Sequence, residues 1–93
     1  MGKFRIEITQ VAEKDLAKHF KSGNKSNIKM IQKILCELEH SPFQGVGKPE
    51  KLKYQFTDLW SRRINQKDRL IYKVVESNVT IFVISAIGHY SDK

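Results

Sequence analysis

The sequence predicts an α+β fold: two N-terminal helices, paired as a hairpin, cover a small, mainly antiparallel four-stranded sheet in the order β-α-α-β-β-β. Three observations carry this prediction. Residues 3–9 alternate polar and apolar with period two, as a half-buried strand does. Residues 10–40 hold two runs with apolar side chains at helical spacing, parted by Ser22-Gly23-Asn24. Residues 58–87 hold three runs rich in β-branched and aromatic residues, parted by short polar turns.

In the first run, KFRIEIT, Phe4, Ile6 and Ile8 share one face while Lys3, Arg5, Glu7 and Thr9 share the other. Thr9 or Gln10 opens a helix whose apolar stripe is Ala12, Leu16 and Phe20, with Val11 alongside. Gly23 suits the left-handed end of that helix, and Asn24 suits the cap of the next. The second helix is expected over Lys25 to His40, with Ile28, Ile31, Leu35 and Leu38 on one face and Ile34 widening it. Lys25, Lys29, Lys33 and Glu37 fall on its outer side. A short connection between opposed stripes makes an antiparallel helical hairpin. Cys36 is expected to flank the apolar face, and His19 and His40 to be solvated surface histidines.

Pro42 ends the helical region. Gly45, Gly47 and Pro49 then hold residues 42–50 in a defined loop. Strands follow at residues 58–64 and 69–75, with residues 65–68 as the turn, and at residues 79–87 after a turn at 76–78. The nearly continuous apolar character of VTIFVISAI argues for a central strand buried on both faces. The first strand is expected to add at one edge. Trp60 and Tyr72 are expected in the core.

A chain of 93 residues has the size of one domain, taken here as residues 1–93. It has 17 basic and 10 acidic side chains, a net charge of +7 and a pI near 9.7. That field points to an anionic partner, namely nucleic acid, an acidic protein or an anionic surface. No apolar run approaches a membrane-spanning length, and MGKFRIEIT does not have the pattern of a secretory signal. With a single cysteine and no His/Cys spacing of the metal-binding kind, a reducing, cytoplasmic compartment is expected, with no metal and no cofactor.

The stretches PFQGVGKPEKLK and LWSRRINQKDRLIYKV, with the closing pair His89-Tyr90, resemble the YoeB/Txe branch of the RelE-type toxins. The resemblance runs in order from residue 42 to residue 90. It implies a RelE-like fold and the toxin of a type II toxin–antitoxin module. The implied activity is that of a ribosome-dependent endoribonuclease that cuts mRNA in the ribosomal A site without a metal. The partners implied are the ribosome, mRNA and an acidic antitoxin of YefM/Phd type, with a homodimer or a toxin–antitoxin heterocomplex as the assembly.

Metal-free cleavage of RNA uses the ribose 2′-hydroxyl as nucleophile. It needs a base for that proton, an acid for the leaving 5′-oxygen and cations for the charge that builds on phosphorus. Beside the motif, Glu50 is the candidate base, set after Pro49 in a basic neighbourhood; in isolation a loop glutamate in a salt bridge is the plainer assignment. His89 is the candidate acid, because imidazole titrates near neutrality. With a turn centred on Gln66, Arg63 and Arg69 lie opposite one another and can clamp a phosphate. Arg69 is assigned to transition-state stabilisation and Tyr90 to substrate positioning. Lys48, Lys53 and Arg62 are assigned to RNA, with Arg62 on the other face as a surface or ribosomal contact. In RelE itself lysine and arginine carry the chemistry, so Lys53 is the reserve base. Two departures stand out. Ser91, Asp92 and Lys93 follow the His-Tyr pair, and Gly88 precedes it, which is expected to loosen the placement of His89.

Two other functions fit the same scaffold or charge. ParE-type toxins share the fold and inhibit DNA gyrase, but lack the Glu50, Arg69 and His89 arrangement. A non-catalytic basic RNA- or ribosome-binding module needs the charge without Glu50 or His89.

Overall fold

Thr9 joins the first strand to the first helix. Its extended backbone and its side-chain oxygen, which accepts from the Ala12 amide at 3.2 Å, make it the N-cap. Its hydroxyl also donates to the Ile84 carbonyl at 3.0 Å, which ties the start of the helix to the last strand. The computed structural model describes residues 3–52 and 59–88. The elements are β1 (Arg5–Ile8), α1 (Gln10–Ser22), α2 (Lys25–Leu38), β2 (Glu50–Lys51), β3 (Leu59–Arg63), β4 (Arg69–Val75) and β5 (Thr80–Ser85). A short 3-10 turn, Glu76–Asn78, links β4 to β5.

Gly23 ends α1 with φ 74°, and the Asn24 side chain caps α2 by accepting from the Asn27 amide at 3.0 Å. The apolar stripe of α1 is Ala12, Leu16 and His19; Val11 and Phe20 are exposed. Helical geometry explains the difference. Two successive i+4 steps drift roughly 80° around a helix, whereas i, i+4, i+7 stays on one stripe. His19 is therefore a core histidine, 6% exposed, and not the solvated one expected. On α2, Ile31, Ile34 and Leu38 are fully buried.

The sheet has five strands in the order β1-β5-β4-β3-β2. β1 adds at one edge, parallel to β5, and the other pairings are antiparallel. The fifth strand, β2, is two residues long and was not expected from the sequence. Both helices pack on one face over Leu70, Tyr72, Ile81 and Val83. The register places Arg63 opposite Arg69, as the turn centred on Gln66 requires. Alternation then puts Glu50, Ser61, Arg63, Arg69 and Ile71 on the face away from the helices. A bulge opposite Ile71/Tyr72 leaves Ile84 as the extra residue of β5 and bends the strand as it leaves the sheet.

Candidate functional site

The loop that delivers Glu50 is anchored from below by Arg62, which is fully buried. Its Nη1 donates to Glu37 Oε1 at 2.8 Å and to the Val46 carbonyl at 3.4 Å. Its Nη2 donates to the carbonyls of Ser41 at 2.6 Å and Gln44 at 2.8 Å, and its Nε to the Tyr72 hydroxyl at 3.3 Å. The Tyr72 hydroxyl donates in turn to the Pro42 carbonyl at 2.6 Å. This corrects the surface role assigned to Arg62: it points under the loop, and Glu37 turns inward to meet it. The Val46 amide and Arg62 together hold the Glu37 carboxyl below the ordinary glutamate value, against the upward push of burial. Burial raises the Tyr72 phenol and outweighs the pull of Arg62.

Close approach explains the glycines of this loop. A Cβ on Gly47, at φ 81°, would lie 2.8 Å from the Arg63 carbonyl oxygen and 3.1 Å from the Arg63 amide nitrogen. The Gly47 carbonyl accepts from the Arg63 amide at 2.7 Å. Lys48 is exposed and follows at φ 50°, a conformation that costs a non-glycine residue of order 1 kcal/mol. The loop is thus stitched to α2 and to β3 before Glu50 enters β2 opposite Ser61.

Three of the candidate residues meet here. Glu50 Oε1 lies 3.7 Å from Arg69 Nη1, and Arg63 is the strand partner of Arg69. Glu50 is 70% exposed and Arg69 is 28% exposed, so the pair is open to solvent. The Arg69 amide donates to the Gly88 carbonyl at 2.9 Å, which brings the root of the His-Tyr pair beside the same arginine. The Gly88 amide donates to Asp68 Oδ1 at 2.9 Å as well. Burial pushes the Asp68 carboxyl up. The Gly88 amide, the Asn65 side chain and the nearby His19 and Lys67 outweigh it and hold the group below the ordinary aspartate value. Lys53, His89, Tyr90 and the tail Ser91-Asp92-Lys93 lie outside the described residues.

A cavity of about 780 Å³ borders the β3–β4 turn, lined among others by Lys18, Asn27, Gln66, Lys67 and Ile87. It includes none of Glu50, Arg63 and Arg69.

The family model described as the YoeB-like toxin of bacterial type II toxin–antitoxin systems matches residues 9–90. Toxin YoeB of Streptomyces coelicolor is 35% identical over 86 residues, covering 92% of this chain and 99% of that one. The solved YoeB/ParE toxin from Agrobacterium tumefaciens superposes with a TM-score of 0.82 at 29% identity, over 94% of this chain and 100% of that one. The toxin in the YoeB-YefM complex from Staphylococcus aureus superposes with a TM-score of 0.75 at 36% identity, over 95% and 99%.

Proposed function

Since the chain belongs to the YoeB-like toxins of bacterial type II toxin–antitoxin systems, we propose that it acts in the cytoplasm as a ribosome-dependent endoribonuclease, cutting mRNA in the A site without a metal. The observation that carries this is the meeting of Glu50, Arg63, Arg69 and the Gly88 backbone on the side of the sheet away from the helices. Glu50 takes the proton of a ribose 2′-hydroxyl, whose oxygen attacks the adjacent phosphorus. Arg69 and Arg63 hold the non-bridging oxygens as charge builds on them; such preorganised donors favour the transition state over the ground state. His89 gives a proton to the departing 5′-oxygen. The products are a 2′,3′-cyclic phosphate and a 5′-hydroxyl end. Lys48 and Lys53 bind the RNA backbone, and Tyr90 positions the substrate. An acidic antitoxin of YefM type is the cognate partner, by analogy with the Staphylococcus aureus complex.

Primer extension on translated mRNA tests this function. Cuts at A-site codons are expected, and Glu50→Gln should lower the single-turnover rate by roughly 10²–10⁴ with ribosome binding kept, the span of a general base. Gyrase-dependent DNA damage without mRNA cuts would favour a ParE-like activity. Ribosome binding without cuts would favour a non-catalytic module.

A further inference from the structure

Two of the three residues after β5, Ala86 and Gly88, are each tied by two hydrogen bonds. The Ala86 amide donates to Asp15 Oδ2 at 2.9 Å. The Ala86 carbonyl accepts from His19 Nε2 at 2.7 Å. The Gly88 amide donates to Asp68 Oδ1 and its carbonyl accepts from the Arg69 amide, both at 2.9 Å. Thus four hydrogen bonds fix two residues. Two of the side chains involved, His19 and Asp68, are 6% and 9% exposed.

These holders are themselves held. Asp68 Oδ2 accepts from Asn65 Nδ2 at 3.0 Å, and the same amide donates to Asn27 Oδ1 at 3.1 Å. Asn65 Oδ1 accepts from the Asp68 amide at 2.7 Å. The network reaches α1, α2 and the β3–β4 turn, and it converges on Ala86 and Gly88. Gly88 adopts φ 74°, with nothing within 4 Å of where a Cβ would stand. The demand at this position is therefore for a left-handed turn and not for space.

Core packing accounts for Ala86, which is fully buried, but not for the ties on Gly88: β5 ends at Ser85, and Ile87 is 41% exposed. What lies just beyond the anchored segment is His89. The tie from Gly88 leads on one side to Asp68 and on the other to Arg69, its sequence neighbour. One turn thus holds both the phosphate-facing cation and the root of the proton donor.

We propose that Asp68 and His19 are positioning residues for cleavage: they clamp the Ala86–Gly88 backbone beside Arg69 and so fix the residue from which the chain continues to His89. This role rests on the endoribonuclease function above. Neither residue touches the substrate. A buried carboxylate is used because it can accept from the Gly88 amide and the Asn65 side chain at once. A buried imidazole is used because its Nε2–H can reach a carbonyl from the last turn of α1.

Single-turnover cleavage of mRNA on saturating ribosomes, read beside a thermal melt, tests the clamp. Asp68→Ala should lower the rate by roughly 10²-fold, the loss that a misplacement of about 1 Å brings. The ribosome concentration needed for saturation should not change. Asp68→Asn keeps an acceptor for the Gly88 amide and should recover most of the rate. The decisive readout is a double-mutant cycle. In a His89→Ala background, Asp68→Ala should cause no further loss, because the donor it aims is gone. A merely structural aspartate would cost the same factor in both backgrounds, and that result would overturn the proposal, as would full activity of Asp68→Ala. If Asp68→Ala does not fold, His19→Gln enters the same cycle with the same expectations. A parent protein that leaves ribosome-bound mRNA intact would overturn the endoribonuclease function itself, and the clamp with it; a parent that cleaves, paired with an additive cycle, overturns the clamp alone.

Discussion

Every N–H of the Arg62 guanidinium has an acceptor, and the acceptors come from Glu37, Ser41, Gln44, Val46 and Tyr72. An arginine so placed is a fastener. Its neighbour in sequence, Arg63, is exposed on the opposite face. Period-two alternation separates the two correctly, but it does not say which face is covered. Burying a guanidinium is costly, so removing it after the structure has adapted is costly too. Arg62→Ala leaves three carbonyls without this donor and the Glu37 carboxylate with the Val46 amide in place of two donors, and opens a cavity. It should destabilise the fold by about 3–5 kcal/mol in a chemical denaturation series. Arg62→Lys should recover only part of this, because an ammonium cannot fork to carbonyls on two sides. A variant with the parent's stability but weakened ribosome binding would return Arg62 to the surface role that its sequence position suggests.

At the level of elements, much of the fold is written locally. The span of β4, residues 69–75, follows from a run of β-branched and aromatic residues between a polar turn and a Glu-Ser-Asn turn. The Gly23-Asn24 break separates α1 from α2 as its chemistry requires. What could not be read locally depends on partners far away in sequence. β2 is two residues long and exists only because β3 pairs with it. His19 is buried because Ala86, 67 positions on, presents a carbonyl to it. Glu37 turns inward because Arg62, 25 positions on, is buried there. For the candidate site, Glu50, Arg63 and Arg69 were legible as motif residues, but the pairing of the arginines hung on the register: a turn centred on Gln66 joins them, as observed, and a one-residue slip would have put them on different faces. Asp68 was not singled out, because an aspartate in a four-residue turn is ordinary until its contact with Gly88 is seen.

Two predictions belong to these elements. Gly23 and Gly47 both have positive φ, but only Gly47 has backbone against its Cβ position. Gly23→Ala should therefore cost about 1 kcal/mol, the strain of a left-handed alanine. Gly47→Ala should cost more and should also lower cleavage, because it pushes the loop off β3 and takes Glu50 with it. Equal stability losses for the two, with cleavage intact, would count against this account of the loop. The second prediction concerns acid. The Glu37 and Asp68 carboxyls are both held below their ordinary values in the fold. A depressed folded value means that the unfolded chain binds protons first. The stability from these groups is thus present at neutral pH and is lost as pH falls through and below the carboxylate range near about 4. Melting temperature measured against pH should drop there, and Glu37→Gln or Asp68→Asn should flatten the drop while lowering the neutral-pH plateau.

For the whole molecule the governing quantity is a net charge of +7 on 93 residues. Two arginines sit directly opposite each other across β3 and β4, an arrangement that is unfavourable until an anion lies between them. Glu50 offsets only part of this, from 3.7 Å and largely in solvent. An oxyanion of phosphate geometry should therefore bind the free protein at this face and raise its melting temperature, since a ligand that binds only the folded state stabilises it by mass action. Phosphate or sulfate should do so beyond the effect of chloride at matched ionic strength. Arg69→Ala should remove the difference, and Arg63→Ala should reduce it. On RNA the same charges act through counterion release. Affinity for a short single strand should fall linearly with salt on logarithmic axes, and each arginine removed from this face should reduce the slope by roughly one phosphate contact. Arg62→Ala, measured on the fraction that remains folded, should leave that slope unchanged because the guanidinium is out of reach of solvent. If the slope changes as much for Arg62 as for Arg63, RNA is not binding on the face that carries Glu50 and Arg69.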